Sequence, residues 1–250
     1  KPKLREFKPA EIVEAALDKE LNLLAYTYSE PIVFYEFMLK TAEIASKNGL
    51  KNIMVSNGFI NKKPLKRLIP YLDAANIDLK AFNNDFYEQH CQGGLEAVKR
   101  TIKMLAEEIH LEVTTLIVTD LNDDLDELEG LFRWLAELNP EIPLHLSRYH
   151  PAYKLDNPPT DIELMKKAYY QAKKYLDPVN NIPLYTRLLN EIASNFEDQD
   201  LYNKAIETQD EIITLTSKEK GISYIDALIN KAHIFLKKEE VGQAITLIEK

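Results

Sequence analysis

The chain holds a single cysteine, Cys91, among 250 residues. It can form no internal disulfide, and a lone thiolate holds neither a structural zinc nor an iron-sulfur cluster, which take several. Glycine is scarce too, at seven residues. No Gly-x-Gly-x-x-Gly loop and no Walker phosphate loop occurs, which removes the two commonest nucleotide fingerprints. Positive charge is in the minority: 31 Lys and Arg face 40 Asp and Glu, a net charge of -9. Acidic residues outnumber basic ones in both the first 180 residues and the remainder. With no overall positive field, neither nucleic acid nor an anionic membrane surface is a favoured partner. No apolar run approaches the roughly 20 residues that cross a bilayer, and Lys1–Phe7 carries no apolar signal core. The expectation is a cytoplasmic protein without membrane attachment.

What is present is the composition of a folded chain, 45% hydrophobic and 28% charged. Over residues 1–178, short β-branched runs alternate with stretches of helical period, which predicts an α/β domain of parallel strands and crossover helices. Strands are expected at 22–26, 52–56, 75–79, 111–118 and 144–147. Helices are expected at 9–19, 32–47, 62–71, 94–108, 123–138 and 161–175. Asn48-Gly49 reads as a left-handed helix end, Asn122 as the entry to an acidic helix start, and Thr160 with Glu163 as a capping box.

The segment 175–183 holds two prolines and an Asn pair and suits neither a helix nor a central strand. It sets the expected boundary between residues 1–178 and 179–250. Beyond it the pattern is all-helical. Residues 190–206 align with 230–245 at an offset of about forty residues, with Ala193, Ala205, Ala232 and Ala244 where helices must approach closely. This part resembles tetratricopeptide repeats, which implies a groove for a peptide partner; an ordinary helical hairpin is the plainer alternative.

In a parallel β/α barrel the reacting groups gather at the C-terminal strand ends. Those ends carry Tyr28-Ser29-Glu30-Pro31, Ser56-Asn57-Gly58, Asp78-Leu79-Lys80 and Ser147-Arg148-Tyr149-His150, while Glu112 and Thr114 lie inside the fourth strand. Singly, each has a plain structural explanation: a turn at Gly58, an ion pair of Asp78 with Lys80, a helix start at Glu30-Pro31. Jointly, five successive strands that carry polar groups point to a shared site. Glu112 either meets a substrate or pairs with a barrel arginine such as Arg148. His145 reads as a packed, hydrogen-bonded histidine, and Trp134 as core.

At these residues the chain resembles radical S-adenosylmethionine enzymes, in the branch of pyruvate formate-lyase activating enzymes and most closely the AmmeMemoRadiSam type. The stretches AYTYSEPIVFYEFM, VSNGFI, ANIDLKAF, EVTTLIVTDLND and LHLSRYHPAYKL carry the likeness. The resemblance implies a partial radical-SAM-type β/α barrel followed by the helical region. It implies S-adenosylmethionine and a [4Fe-4S] cluster as cofactors, and a substrate, a protein among the candidates, that the sequence does not name. By analogy Glu30 and the backbone at Ser29 face the methionyl ammonium. Ser56, Asn57 and Asp78 lie near the ribose and carboxylate, with Lys80 as the cation for the carboxylate. Tyr28 lies near the adenosyl group, and His150 against ribose or adenine. The family's Cys-x-x-x-Cys-x-x-Cys loop does not occur in the sequence. The chain is therefore expected to start downstream of it and to be inactive alone. Two rival readings are a scaffold acting through the helices, and a different β/α enzyme using Asp78, Lys80 and Glu112 in acid-base or Schiff-base chemistry.

Overall fold

The computed structural model describes residues 7–176, 193–194, 197, 201–217 and 222–248. The chain forms two compact units, Lys1–Thr160 and Asp161–Lys250. Most of the break expected at 175–183 lies outside the described residues.

The first unit is built on a five-stranded sheet of β1 (Leu23–Tyr26), β2 (Lys51–Ser56), β3 (Ala74–Asp78), β4 (His110–Ile117) and β5 (Leu144–Arg148). The strands lie in the order β1-β2-β3-β4-β5 and every pairing is parallel. Helices α1 (Pro9–Leu17), α2 (Tyr35–Lys47), α3 (Lys62–Leu68), α4 (Asn84–Phe86), α5 (Leu95–Ala106) and α6 (Leu125–Leu138) lie before and between them. Sequential strands joined through helices are thus spatial neighbours, as short, unknotted connections favour.

The helices bury apolar stripes at three- and four-residue spacing. Leu128, Leu131, Phe132 and Leu135 of α6 and Val98, Ile102 and Leu105 of α5 are all buried. Met54, Ile77, Val113 and Leu144 supply the sheet's contribution to that core. Alpha 1 rests on α2 through Val13, Ala16 and Ala45, with Leu50. Pro9 at the first position of α1 and the bond from Lys8 N to Glu11 (2.7 Å) start that helix. Asn48 ends α2, and Gly49 follows with φ +78°.

Two cap expectations need correction. The cap of α6 is Asp124, whose carboxylate accepts from Asp126 N and Glu127 N; Asn122 is buried in the preceding loop instead. The cap of α7 (Ile162–Ala172) is Asp161 rather than Thr160. The Thr160 hydroxyl is already engaged, donating to Ile117 O (2.5 Å) and accepting from Tyr149 N (2.9 Å).

In the second unit α7 is followed by α8 (Tyr202–Thr216), α9 (Ile222–Lys237) and α10 (Val241–Ile248). Glu211 of α8 accepts hydrogen bonds from Tyr169 (3.2 Å) and Tyr170 (2.7 Å) of α7. Ala232 and Phe235 of α9 pack on Ala244 of α10, with Ile206 and Leu247 against them. Ala193 and Ala205 are fully buried as well, so all four alanines singled out by the sequence offset lie where side-chain volume is restricted.

Candidate functional site

Because all five strands are parallel, their C-terminal ends form one edge of the sheet, and the loops that carry Glu30, Asn57, Lys80 and His150 leave from that edge. The first of these loops turns at Tyr28, which holds φ +68° and is fully exposed. Ser29 is exposed and Glu30 half-buried. Pro31 opens a single 3-10 turn, Pro31–Phe34, and the Glu30 carboxylate caps it by accepting from Ile32 N (3.2 Å).

The same carboxylate joins the next strand. Its Oε1 accepts from Ser56 Oγ (2.8 Å) and its Oε2 from Asn57 N (2.8 Å). Ser56 is buried, and its Oγ also accepts from Gly58 N (3.0 Å). Asn57 turns back on itself, its Oδ1 accepting from Phe59 N (2.8 Å). Gly58 sits at φ +69°, and a β-carbon there would stand 2.7 Å from Ile77 Cγ2, so the β2 loop can lie against β3 only without a side chain.

On β3 the sequence pair Asp78 and Lys80 forms an ion pair at 2.8 Å, with side chains 36% and 40% exposed. Lys80 N donates to the Tyr87 hydroxyl (3.0 Å), whose own ionisation burial pushes well above the ordinary range. Cys91 ends a π-turn, Tyr87–Cys91, on the same loop; burial raises its thiol, and the nearby Lys80 ammonium works the other way. A reactive thiolate needs the opposite balance.

Asn122, buried, braces this edge. Its Oδ1 accepts from Val118 N (2.6 Å), and its Nδ2 donates to Leu116 O (2.8 Å) and to Lys80 O. It therefore fixes the end of β4 to the end of β3. Asn52, buried near the start of β2, is a second brace, tying that strand to Tyr26 of β1, Ala42 of α2 and Tyr71 ahead of β3. The sequence reading missed this role in both, because a buried amide is recognisable only by partners far along the chain.

The face of the sheet opposite the helices carries a second polar group. Glu112 meets His145 Nε2 at 2.8 Å and His110 Nε2 at 3.4 Å, and Asn76 Nδ2 lies 3.4 Å from it. The hydrogen bond from His145 is the main cause that holds the Glu112 carboxyl down at about 2. Arg148, the other candidate partner for Glu112, donates instead to Thr160 O (2.7 Å). His145 is hydrogen-bonded in a β strand, in agreement with the sequence reading.

The structure therefore brings Glu30, Ser56 and Asn57 into direct contact, and Asp78 against Lys80. Tyr28 and Ser29 ride on the Glu30 loop. His150 is exposed on the same edge; at about 4.8 Å per strand it stands roughly 10 Å along the edge from Lys80. As for a metal, Cys91 is the chain's one cysteine. Among the described residues no three His, Cys, Asp or Glu gather where they could hold an ion. A cluster bound through three thiolates does not fit these 250 residues by themselves.

Known proteins bear on this fold. The chain is 48% identical over 167 residues to an uncharacterized protein of Methanocaldococcus jannaschii, covering 66% of this chain and 49% of that one. It is 25% identical over 127 residues to the 7-carboxy-7-deazaguanine synthase of the same organism, covering 43% of this chain and 50% of that one. The chain thus spans about half the length of the curated relatives it matches. In fold it is similar to a domain of pyruvate-formate lyase-activating enzyme from Bacteroides vulgatus, with TM-score 0.54 at 17% identity over 61% of this chain and 93% of that one. It is also similar to Streptococcus suis SuiB bound to S-adenosylmethionine, with TM-score 0.54 at 11% identity over 70% and 42%. The Radical SAM superfamily matches residues 1–135, more than half of the chain, which therefore belongs to that superfamily, whose members use S-adenosylmethionine and a [4Fe-4S] cluster.

Proposed function

We propose that this chain supplies the S-adenosylmethionine cradle of a radical enzyme of the glycyl-radical-activating type. The observation that carries the reading is the Glu30 carboxylate, which ties the mouths of β1 and β2 through Ser56 Oγ and Asn57 N. It fixes two loops rich in backbone acceptors and donors beside the Asp78–Lys80 pair. The ligand is a zwitterion with a sulfonium, so it needs acceptors for an ammonium, a cation for a carboxylate, and neutral groups for a ribose.

The geometry refines the role of Glu30. Three hydrogen bonds already reach its carboxylate, so the methionyl ammonium takes its remaining acceptor site together with backbone carbonyls of the Tyr28-Ser29 turn. Lys80 reaches the ligand carboxylate while Asp78 orients it, Ser56 and Asn57 hold the loop beside the ribose, and His150 closes on the ribose or adenine. The chain's own work in this reading is to bind and orient the sulfonium nucleoside. Its residues supply no electron donor to that sulfonium. In the helical unit the buried alanines support a tetratricopeptide-like stacking, and a peptide is the partner proposed for it.

The test is equilibrium dialysis of the 250-residue chain with labelled S-adenosylmethionine, with S-adenosylhomocysteine as competitor. Saturable binding that Lys80→Ala weakens about fivefold, the worth of roughly 1 kcal/mol for a partly exposed charge-assisted contact, agrees with the reading. Binding equal in wild type and in Lys80→Ala, Asn57→Ala and Glu30→Ala variants contradicts it.

A further inference from the structure

A cavity of about 390 Å³ opens between the start of α2 and the segment that joins β2 to α3, with Tyr35, Glu36, Phe59, Ile60, Lys63 and Arg67 among its lining residues. Its size falls in the range of small-molecule sites, roughly 300–1,000 Å³. None of the residues that line it is assigned to the nucleoside cradle. Its walls are held in place. The Tyr35 hydroxyl donates to Pro64 O (2.9 Å) and ties α2 to α3. Arg100 of α5 donates from Nη2 to Ile60 O (3.0 Å). Asn57 Oδ1 accepts from Phe59 N (2.8 Å), and one edge of the Phe59 ring lies against Gly93, where a β-carbon would stand 3.2 Å from it. Phe59 is nevertheless 49% exposed, while Ile60 beside it is buried. A ring that is fixed yet half open to solvent offers a stacking platform.

The charges around this platform are unbalanced. Lys63 and Arg67 stand four residues apart on α3, a spacing that places two side chains side by side on one face. Neither forms a hydrogen bond or an ion pair among the described residues, and Glu36, on the same cavity, pairs with neither. Cation and acid are both felt at Tyr35: burial first raises its ionisation, the Arg67 charge opposes that rise and the Glu36 charge adds to it. Surface lysines and arginines are ordinarily solvated and mark no site. Here two like charges line one cavity beside a fixed aromatic ring, in a chain of net charge -9 that has acids to spare for neutralising them.

We propose that this cavity binds an aromatic carboxylate, with its ring on Phe59 and its carboxylate held by Arg67 and Lys63. The guanidinium fork of Arg67 suits a planar carboxylate, and the Lys63 ammonium adds a point charge beside it. Two cations against the single acid Glu36 leave one positive charge, which matches a monoanion. A phosphate monoester, close to a dianion at neutral pH, brings its second charge against Glu36.

The test is calorimetric titration of the full 250-residue chain with 2-naphthoate at low ionic strength, where screening is weak. Saturable binding is expected, with the neutral 2-naphthamide about tenfold weaker because it forfeits both charge-assisted contacts. Arg67→Ala is expected to weaken 2-naphthoate about fivefold, as befits an exposed charged contact, and Phe59→Ala by a similar factor through the lost ring contact. Lys80→Ala is expected to leave 2-naphthoate binding unchanged, which separates this cavity from anion capture in the cradle. Glu36→Gln removes the opposing charge, so 2-naphthyl phosphate is expected to gain about fivefold relative to 2-naphthoate. Lys63, Arg67 and Glu36 are exposed, and circular dichroism certifies that each variant is folded. No saturable binding, equal binding of acid and amide, binding unmoved by Arg67→Ala, binding lost in Lys80→Ala, or a phosphate preference unmoved by Glu36→Gln overturns the proposal.

Discussion

Glu30 and Ser56 stand 26 residues apart in sequence and meet at 2.8 Å across the mouths of β1 and β2. The same carboxylate accepts from the backbone of Asn57 at 2.8 Å and caps its own 3-10 turn. One side chain thus decides where two loops of the candidate cradle lie relative to each other.

Replacing Glu30 by Gln keeps the length and removes one acceptor. The amide NH2 must face either Asn57 N–H or the Ser56 and Ile32 donors, so at least one donor loses its partner. Charge-assisted bonds of this kind contribute roughly 1.5–3 kcal/mol when well shielded. For this half-buried group the expected loss is about 1–2 kcal/mol in urea unfolding. The same variant should weaken S-adenosylmethionine binding by more than Lys80→Ala does, since it misplaces the loops as well as removing charge. A Glu30→Gln chain of wild-type stability and wild-type affinity would show that the tie is decorative.

Gly58 and Gly49 form a natural pair of controls. Both hold positive φ, +69° and +78°, but a β-carbon at Gly49 meets nothing within 4 Å, whereas at Gly58 it meets Ile77 Cγ2 at 2.7 Å. Gly49→Ala should therefore cost only the left-handed backbone penalty of about 1–2 kcal/mol. Gly58→Ala should cost that plus an overpacking term of about 1–3 kcal/mol against the β3 core. Denaturant midpoints at constant slope measure the difference. Equal destabilisation of the two would mean that the β2 loop relaxes away from Ile77 without penalty.

Asn122 is the residue on which the β3 and β4 ends jointly depend. Asn122→Asp retains the acceptor for Val118 N but turns a carboxylate oxygen toward the carbonyls of Leu116 and Lys80. Breaking a buried network in this way costs about 3–5 kcal/mol, whereas Asn122→Ala, which leaves three backbone groups unpaired, costs about 2–4 kcal/mol. The ordering Asp worse than Ala is the diagnostic result in thermal unfolding at neutral pH. The reverse ordering would indicate that water reaches this loop.

The parts of the fold that could be read from sequence are those set by local rules. The short runs between stretches of helical period place all five strands within one residue of the observed ends, and Gly58 announces its own turn. The likeness in Tyr28-Ser29-Glu30-Pro31 and Ser56-Asn57-Gly58 locates the loops that meet. What was not legible depends on partners distant in sequence. Thr160 and Asp161 both carry a helix-cap signal, and the choice between them falls to Asp161 because Tyr149 and Ile117 engage the Thr160 hydroxyl. Asn122 has the composition of a helix entry, and only the neighbouring β3 end turns it into a brace. Glu112 and His145 lie on adjacent strands, 33 residues apart, so neither alone signals a pair. Arg148 looks like the better partner for an acid until its guanidinium is seen on Thr160 O.

Glu112 should also leave a mark on the acid stability of the chain. Its carboxyl is lowered from an ordinary value of 4.5 to about 2, first through the hydrogen bond from His145. A group with a depressed folded-state pKa stabilises the fold fully above its unfolded value. That contribution fades as pH falls from about 4.5 toward 2, because the unfolded chain takes up the proton before the folded one does. Urea midpoints measured at several pH values between 2.5 and 7 should fall less steeply below pH 4.5 in Glu112→Gln than in the wild type, with the largest gap between the two at neutral pH. Glu43→Gln, which removes a partly exposed carboxylate of α2 paired with the exposed Lys40 and Lys47, should leave nearly the whole acid limb in place, as solvent screening makes such pairs weak. If Glu112→Gln tracks the wild type through the whole acid range, the carboxylate is not held by His145 in solution.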